Sequence, residues 1–529
     1  MQLTRYQLIL AFCLVLAVSA SLRVSALPTL YGQQDEIIPV KVVDHLLQSR
    51  SLDTNWALAD LPPKFKYPQY NFSGYIESAA AVAWLAKFVP GLNTVSTLGI
   101  LRLFSCALGI AVTAMTFVVT ARLFGGLAAL VAGLWVAVLP LLYQDTLYAR
   151  PEPFVTFLTL LSVWLLLLSG QRANWQRWLA CVILGVLVST KVSMLALVPL
   201  ALIDFGAASD HQRPDSTPST WAVCVHALKS LPRFLPPVVV GVSLGFVAGV
   251  PHFLHDPGTF WSGVRSLQEQ YNEGQWPHGQ ADANIAGRLA YAAGYFQQSM
   301  GLGLFLAALW GGVVAWASGR QTAALLLLVA GAYLLRFGSY PTFFERNVSH
   351  VLPLVVSFAS YGLVTMLRPL ADRPWPLALA IGLGVLLGGY KGASTTYKIR
   401  FEELSGRQAA RLAQMRQNLE AQHGGLRTRR LPWMHTLTEL RKEVPPTCPQ
   451  LIEYPHFQDR ESQAVIRALT HDMGFGVVGQ FTSNFDGPVT STLQAYFVPN
   501  TTFLYRGPAA PECIRLNGLD GGDVSARPR

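Results

Sequence analysis

The chain has 529 residues, of which 51% are hydrophobic and 13% charged, with a mean hydropathy of +0.34. That balance excludes an ordinary soluble globular protein and indicates a polytopic membrane protein. The formal net charge of +10 does not point to nucleic acid, because the basic residues are divided between short loops and the segment after residue 390, with no basic recognition motif among them.

In chain order, apolar runs close to the roughly 20 residues that cross a bilayer predict spans at 7–26, 95–119, 124–143, 153–170, 176–190, 193–207, 234–251, 296–317, 321–337, 347–367 and 374–390. The first run, with Val18-Ser19-Ala20 at its end, also fits a cleavable signal peptide. Lys191 divides the sixth run from the fifth. Residues 176–207 are too many for one crossing, so two short spans are preferred. Arg5, Arg122, Arg172, Arg177, Arg213, Lys229, Arg233, Arg320, Arg368 and Arg373 then share one side, which puts the N-terminus in the cytoplasm and the C-terminus outside.

Three regions are expected: a transmembrane domain over 1–390, a basic amphipathic linker over 391–447 and a small extracytoplasmic domain over 448–529. Residues 401–422 read as a basic amphipathic helix, suited either to anionic lipid or to a solvated link. Short apolar stretches such as Gly474 to Phe481 and Leu493 to Val498, set between turn residues, suggest an α+β tail. Cys448 and Cys513 are an isolated pair in that tail, open to a disulfide or to two free thiols.

Chemistry concentrates in the loops on the outer side. The first begins with Tyr31-Gly32-Gln33-Gln34-Asp35-Glu36, where two adjacent carboxylates follow the first span. They suit either a general base or the favoured acids of a helix N-terminus over the run Ile37 to Leu47. The same loop carries Lys64-Phe65-Lys66-Tyr67-Pro68-Gln69-Tyr70, and the second carries Gln144 to Glu152, including Asp145, Tyr148 and Arg150. Lys191 tips a short hairpin, and a later loop holds Glu345-Arg346-Asn347. Lys191 and Arg346 also suit snorkelling from span ends, and Arg150 a structural pair with Asp145 or Glu152. His252 and His255, near Asp256, could join Glu36 at a metal, but their spacing matches no metal signature and no metal or cofactor is expected. No glycine-rich phosphate loop opens a helix, so ATP-driven chemistry is not indicated.

These elements resemble the C-type (GT-C) membrane glycosyltransferases, the polyprenyl-phosphate-sugar users that include protein O-mannosyltransferases and lipid A aminoarabinose transferases. The resemblance rests on several motifs in order over residues 1–390. They are Asp35-Glu36, then Tyr67-Pro68 before Arg102, Tyr148-Ala149-Arg150 with Glu152, Ser189-Thr190-Lys191, and Arg346 leading to His350-Val351-Leu352-Pro353. Gln69 stands where the family has a second proline. The resemblance implies an all-α GT-C-like fold of about 11 transmembrane helices. It also implies an inverting transfer of sugar from a polyprenyl-phosphate donor to an acceptor hydroxyl on an envelope glycan, lipid or protein.

Such a reaction needs a base for the acceptor proton and fixed cations for the departing phosphate. Asp35 is the candidate base, with Glu36 and Glu152 orienting it or binding sugar hydroxyls. Lys191, Arg150 and Arg346 are candidate phosphate ligands, and Lys64, Lys66, Tyr67 and Tyr148 complete the expected substrate contacts. An oligosaccharide ligase satisfies the same charge logic. A secondary transporter fits less well, since mid-span charge is scarce and no internal repeat stands out. With 31 Arg to 9 Lys, the composition looks like that of a GC-rich bacterial gene, hence an inner membrane with a periplasmic active face. Of three sequons, those at Asn71 and Asn347 lie beside the proposed site, where a glycan would obstruct it.

Overall fold

The structure, a computed structural model, describes residues 4–27, 36–61, 66–170, 174–205, 220–273, 284–318, 321–367, 426–430, 450–453 and 502–506. Its helices are α1 (Arg5–Ala26), α2 (Ile37–Ser49), α3 (Ser73–Ala86), α4 (Thr97–Phe124), α5 (Gly126–Val138), α6 (Pro140–Asp145), α7 (Glu152–Ser169) and α8 (Trp175–Thr190). They continue as α9 (Thr220–Gly249), α10 (Pro257–Glu273), α11 (Ile285–Met300), α12 (Leu302–Ala317), α13 (Gln321–Gly338) and α14 (Leu352–Met366).

Among the described residues, the helical segments Arg5–Ala26, Thr97–Phe124, Glu152–Ser169 and Leu231–Gly249 are long and apolar enough to cross a bilayer, and six further apolar helices are shorter. Ten of the eleven predicted spans fall on these segments; the run at 374–390 lies outside the described residues. The span predicted from 296 starts too early. Residues 296–300 belong to α11, and Gly301, at φ 82°, breaks the helix before α12.

Local signals fix the helix starts. Thr4 and Gln7 form a reciprocal capping box on α1, Ser96 accepts from Gly99 N–H at 3.2 Å on α4, and Asn174 accepts from Arg177 N–H at 3.3 Å on α8. α4 is central, packing against α1, α5 and α7, while α8 packs on α7 and α9. The α8 and α9 backbones meet at Gly185 and Gly245, where a Cβ would lie 2.1 Å from the Val242 carbonyl and 1.8 Å from that of Val182 respectively. Buried hydroxyls on α4 are internally satisfied or shared: Thr116 donates to Val112 O at 2.7 Å, and Thr120 meets Ser357 of α14 at 2.7 Å.

The hairpin expected at Lys191 is present. The chain leaves α8 at Lys191 and continues as a 3-10 helix, Val192–Leu202. Arg177, near the start of α8, bonds the carbonyls of Ala201 (2.6 Å) and Ile203 (3.2 Å), so the second arm runs back along the first. Eleven residues suffice for the return, because a 3-10 rise of about 2.0 Å per residue gives roughly 22 Å, against about 24 Å for the 16 α-helical residues of α8.

Of the C-terminal part, three strands are described: β1 (Leu426–Arg430), β2 (Gln450–Glu453) and β3 (Thr502–Arg506). They form an antiparallel sheet in the order β1-β3-β2, pairing Leu426 with Arg506 and Glu453 with Thr502. β1 comes from the stretch expected as linker, so the sheet draws on both sides of residue 447. The amphipathic segment 401–422, Cys448, Cys513 and the apolar stretches at 474–481 and 493–498 lie outside the described residues.

Candidate active site

Glu36 stands at the N-cap position of α2, yet its side chain makes no cap. The carboxylate instead takes Arg102 of α4 in a two-pronged grip, with Nε to Oε1 at 2.8 Å and Nη2 to Oε2 at 2.5 Å, and it also accepts the Ala149 N–H at 2.8 Å. Glu36 and Arg102 are 3% and 0% exposed, so the pair is sealed in the protein. The bond to Ala149 anchors the turn between α6 and α7. Tyr148, on that turn, lies between two guanidiniums, with Arg102 Cζ 5.7 Å and Arg150 Cζ 5.5 Å from its ring centroid.

A second charge cluster adjoins this turn. Lys191, at the break between α8 and the 3-10 helix, places Nζ 2.7 Å from Glu152 Oε1 at the start of α7. It lies 3.5 Å from both Asn347 Oδ1 and His350 Nε2. Phe72, which heads α3, presents its ring 5.8 Å from the same ammonium. Arg150 Nη1 pairs with Asp145 Oδ1 at 3.6 Å, and Arg346 acts electrostatically on both Glu152 and Lys191. Asn347 donates to the Tyr271 hydroxyl at 2.7 Å, so the end of α10 is joined to the cluster.

The cluster holds three cations against two carboxyls, and burial shifts its outer members. Burial first, then the Glu152 charge, holds the Asp145 carboxyl up at about 7, with Arg150 and Lys191 opposing. Burial also lowers Lys191, with Glu152 acting the other way. His350, buried and facing Lys191, is held well below its ordinary range and is a neutral imidazole.

The structure thus brings together Glu36, Tyr148, Arg150, Glu152, Lys191 and Arg346. Asp35 and Lys64 lie outside the described residues. Lys66 is exposed and Tyr67 packs against Trp56 at 6.0 Å between ring centroids. Among the described residues, no hydrogen bond, ion pair or ring contact joins either one to the cluster. Lys191 turns inward, 8% exposed, instead of snorkelling. Arg150 does form the pair with Asp145 weighed as a structural alternative.

Asn347, 4% exposed and bonded on both sides, is no surface acceptor for a glycan. Asp256 accepts from Thr259 N–H at 3.0 Å as the cap of α10, and no three His, Cys, Asp or Glu side chains form a metal-ligand group among the described residues. Tyr271 was not singled out by sequence, and Asp145 and Asn347 were named only as a structural partner of Arg150 and as a sequon. Arg102 and His350 were, but only as motif members; a lone charge inside an apolar span was the signal that marked Arg102.

Residues 78–239 match the sequence profile of the family described as dolichyl-phosphate-mannose-protein mannosyltransferase. No curated protein sequence matches the chain. Among solved structures, ArnT from Cupriavidus metallidurans bound to undecaprenyl phosphate is similar at 13% identity and a TM-score of 0.51, over 84% of this chain and 82% of that one. The oligosaccharyltransferase of Archaeoglobus fulgidus, in complex with Zn and sulfate, is also similar at 13% identity and a TM-score of 0.45, over 73% of this chain. The chain spans about half of that enzyme, 52%. The chain is thus similar in fold to ArnT, and over residues 78–239 it is similar in sequence to that mannosyltransferase family.

Proposed function

We propose that the protein transfers a sugar from a polyprenyl-phosphate donor to an acceptor hydroxyl at the periplasmic face of a bacterial inner membrane. The observation that carries this reading is the convergence of Arg150, Lys191 and Arg346 around Glu152, next to the Glu36–Arg102 pair. Three fixed cations with two carboxyls suit a monoester phosphate whose negative charge grows as it departs.

In this mechanism Asp35 takes the proton from the acceptor oxygen, and that oxygen attacks the anomeric carbon from the face opposite the phosphate. The bond from the anomeric carbon to the phosphate oxygen breaks, its electron pair leaves with the lipid phosphate, and configuration inverts once. Lys191, Arg150 and Arg346 hold the leaving phosphate. Glu36 orients the Tyr148–Arg150 turn through Ala149, and Glu152 holds Lys191. Neutral His350 accepts from Lys191 and keeps the ammonium directed inward. Lys64, Lys66, Tyr67 and Tyr148 are proposed contacts for the sugar or acceptor.

The ArnT structure with undecaprenyl phosphate supports the choice of lipid class. The test is mass spectrometry of envelope glycans, lipids and proteins from cells with and without the gene, followed by transfer from purified undecaprenyl-phosphate sugars in proteoliposomes. Loss of one glycoform in the deletion strain, restored by the purified protein, is the expected outcome. An unchanged envelope with no transfer from any such donor overturns the proposal.

A further inference from the structure

Arg23 lies inside the first apolar helix, 0% exposed, and among the described residues it takes part in no ion pair. A buried cation without a carboxylate is costly to keep, so its other contacts must account for it. They converge on one place. Nε donates to Thr146 Oγ1 at 2.9 Å, and Nη1 donates to Ala137 O at 3.2 Å and to Ser19 Oγ at 2.8 Å. The guanidinium also lies 5.8 Å from the Tyr143 ring centroid.

These partners bracket α6. Leu139, in extended conformation, separates α5 from α6, so the carbonyls in the last turn of α5 lose their helical partners four residues on. Arg23 donates to one of them, that of Ala137. At the other end, Thr146 is the C-cap of α6, directly after Asp145, and it in turn donates to Tyr143 O at 2.9 Å. The next residues are the turn that carries Tyr148, Ala149 and Arg150. α4 makes room for this contact at Gly109, where a Cβ would lie 2.7 Å from Arg23 Nε and 2.5 Å from Thr146 Cβ.

We infer that Arg23 is a positioning residue: from the membrane-embedded α1 it ties the end of α5 to the end of α6 and, through Thr146, fixes the turn that presents Asp145 and Arg150. The turn is then held from two sides, by Glu36 at Ala149 and by Arg23 at Thr146. α1 is by this account part of the machinery that places the phosphate cations, a role that rests on the function proposed above.

Hydrogen–deuterium exchange of the purified full chain tests the clamp without any need for turnover. Thr146→Val keeps size but leaves Arg23 Nε without its acceptor; Arg23→Met removes the clamp, and Thr146→Ser keeps the hydroxyl. Exchange of the amides of 146–150 is expected to rise about tenfold or more in the first two, with α7 beyond Val155 unchanged, and to return to the wild-type rate in Thr146→Ser. If Arg23→Met does not fold, Thr146→Val alone decides.

Unchanged exchange over 146–150 in Thr146→Val overturns the inference, as does a uniform rise along the whole chain, which would mark a general loss of stability. Thermal stabilisation by undecaprenyl phosphate, measured on the same samples, separates the two readings. Loss of this stabilisation together with the loosened turn supports both. A loosened turn with undiminished stabilisation leaves the clamp standing and removes Arg150 as a phosphate ligand.

Discussion

The Glu36 carboxylate stands at the head of α2 and is held there by Arg102, 66 positions further along the chain, in a bidentate pair that excludes water. The pair decides how a substitution at Glu36 should be read. Glu36→Gln looks at first like a mild control for its neighbour Asp35, yet it leaves a buried guanidinium without its counter-charge. Removing one partner of such a pair typically costs about 3–5 kcal/mol. Glu36→Gln and Arg102→Met are each expected to lower the melting temperature markedly, with the double variant less destabilised than the sum of the two. Additive losses in that double-mutant cycle would show that the pair contributes no coupling.

Lys191 and Arg346 separate the phosphate role from packing. Lys191→Met leaves Glu152 buried without its partner, so both stability and turnover should fall. Arg346 is only half-buried, and Arg346→Met is expected to keep the melting temperature while turnover falls by on the order of a hundredfold. Steady-state kinetics beside melting curves provide the check. Normal turnover in folded Arg346→Met would take that residue out of the site.

Asp145 gives the cluster a pH dependence whose sign can be worked out. Its carboxyl is held up at about 7 in the folded protein, chiefly by burial, against an ordinary 3.8. The folded state thus binds one more proton than the unfolded chain in this range, and stability falls as pH rises toward and through 7. His350 acts in the opposite sense below its ordinary 6.5, since it is buried neutral and an unfolded histidine gains a proton there. The Asp145 effect is therefore read above pH 6.5. Melting temperatures between pH 6.5 and 8 should decline in the wild type and decline less in Asp145→Asn; equal slopes would mean that Asp145 does not carry the effect.

The apolar helices were legible because a bilayer demands a long uninterrupted run, and the hairpin at Lys191 because 176–207 is too long for one crossing. α10 was not, since its composition is polar and its burial rests on contacts such as that of Gly263 with Gln69, nearly 200 positions away in sequence. The site followed the same division. Residue types and their common side pointed to Arg150, Glu152, Lys191 and Arg346. The pairings that fix them, such as Arg102 with Glu36 and Asn347 with Lys191, are set by helix packing and leave no local trace. Glu36 shows the limit well: its position at a helix start fits a cap, and only the fold reveals the longer-range bond.

The general-base role is tested at Asp35. Its neighbour Glu36 is buried and bonded to Arg102 and Ala149, where it serves to hold the fold, and Asp35 is the acid of the pair proposed for the role. Asp35→Asn keeps the size of the side chain and its ability to cap a helix but abolishes its basicity. Transfer is expected to fall by on the order of a hundredfold or more, while solubilised yield and melting stay close to wild type. Binding of undecaprenyl phosphate should survive too, because the cations proposed to hold it are untouched. Rate and binding measured together locate any failure: a normal rate of transfer in Asp35→Asn moves the proton to another acid, and Asp145, the carboxyl held near neutrality beside Arg150, is then the one to replace next.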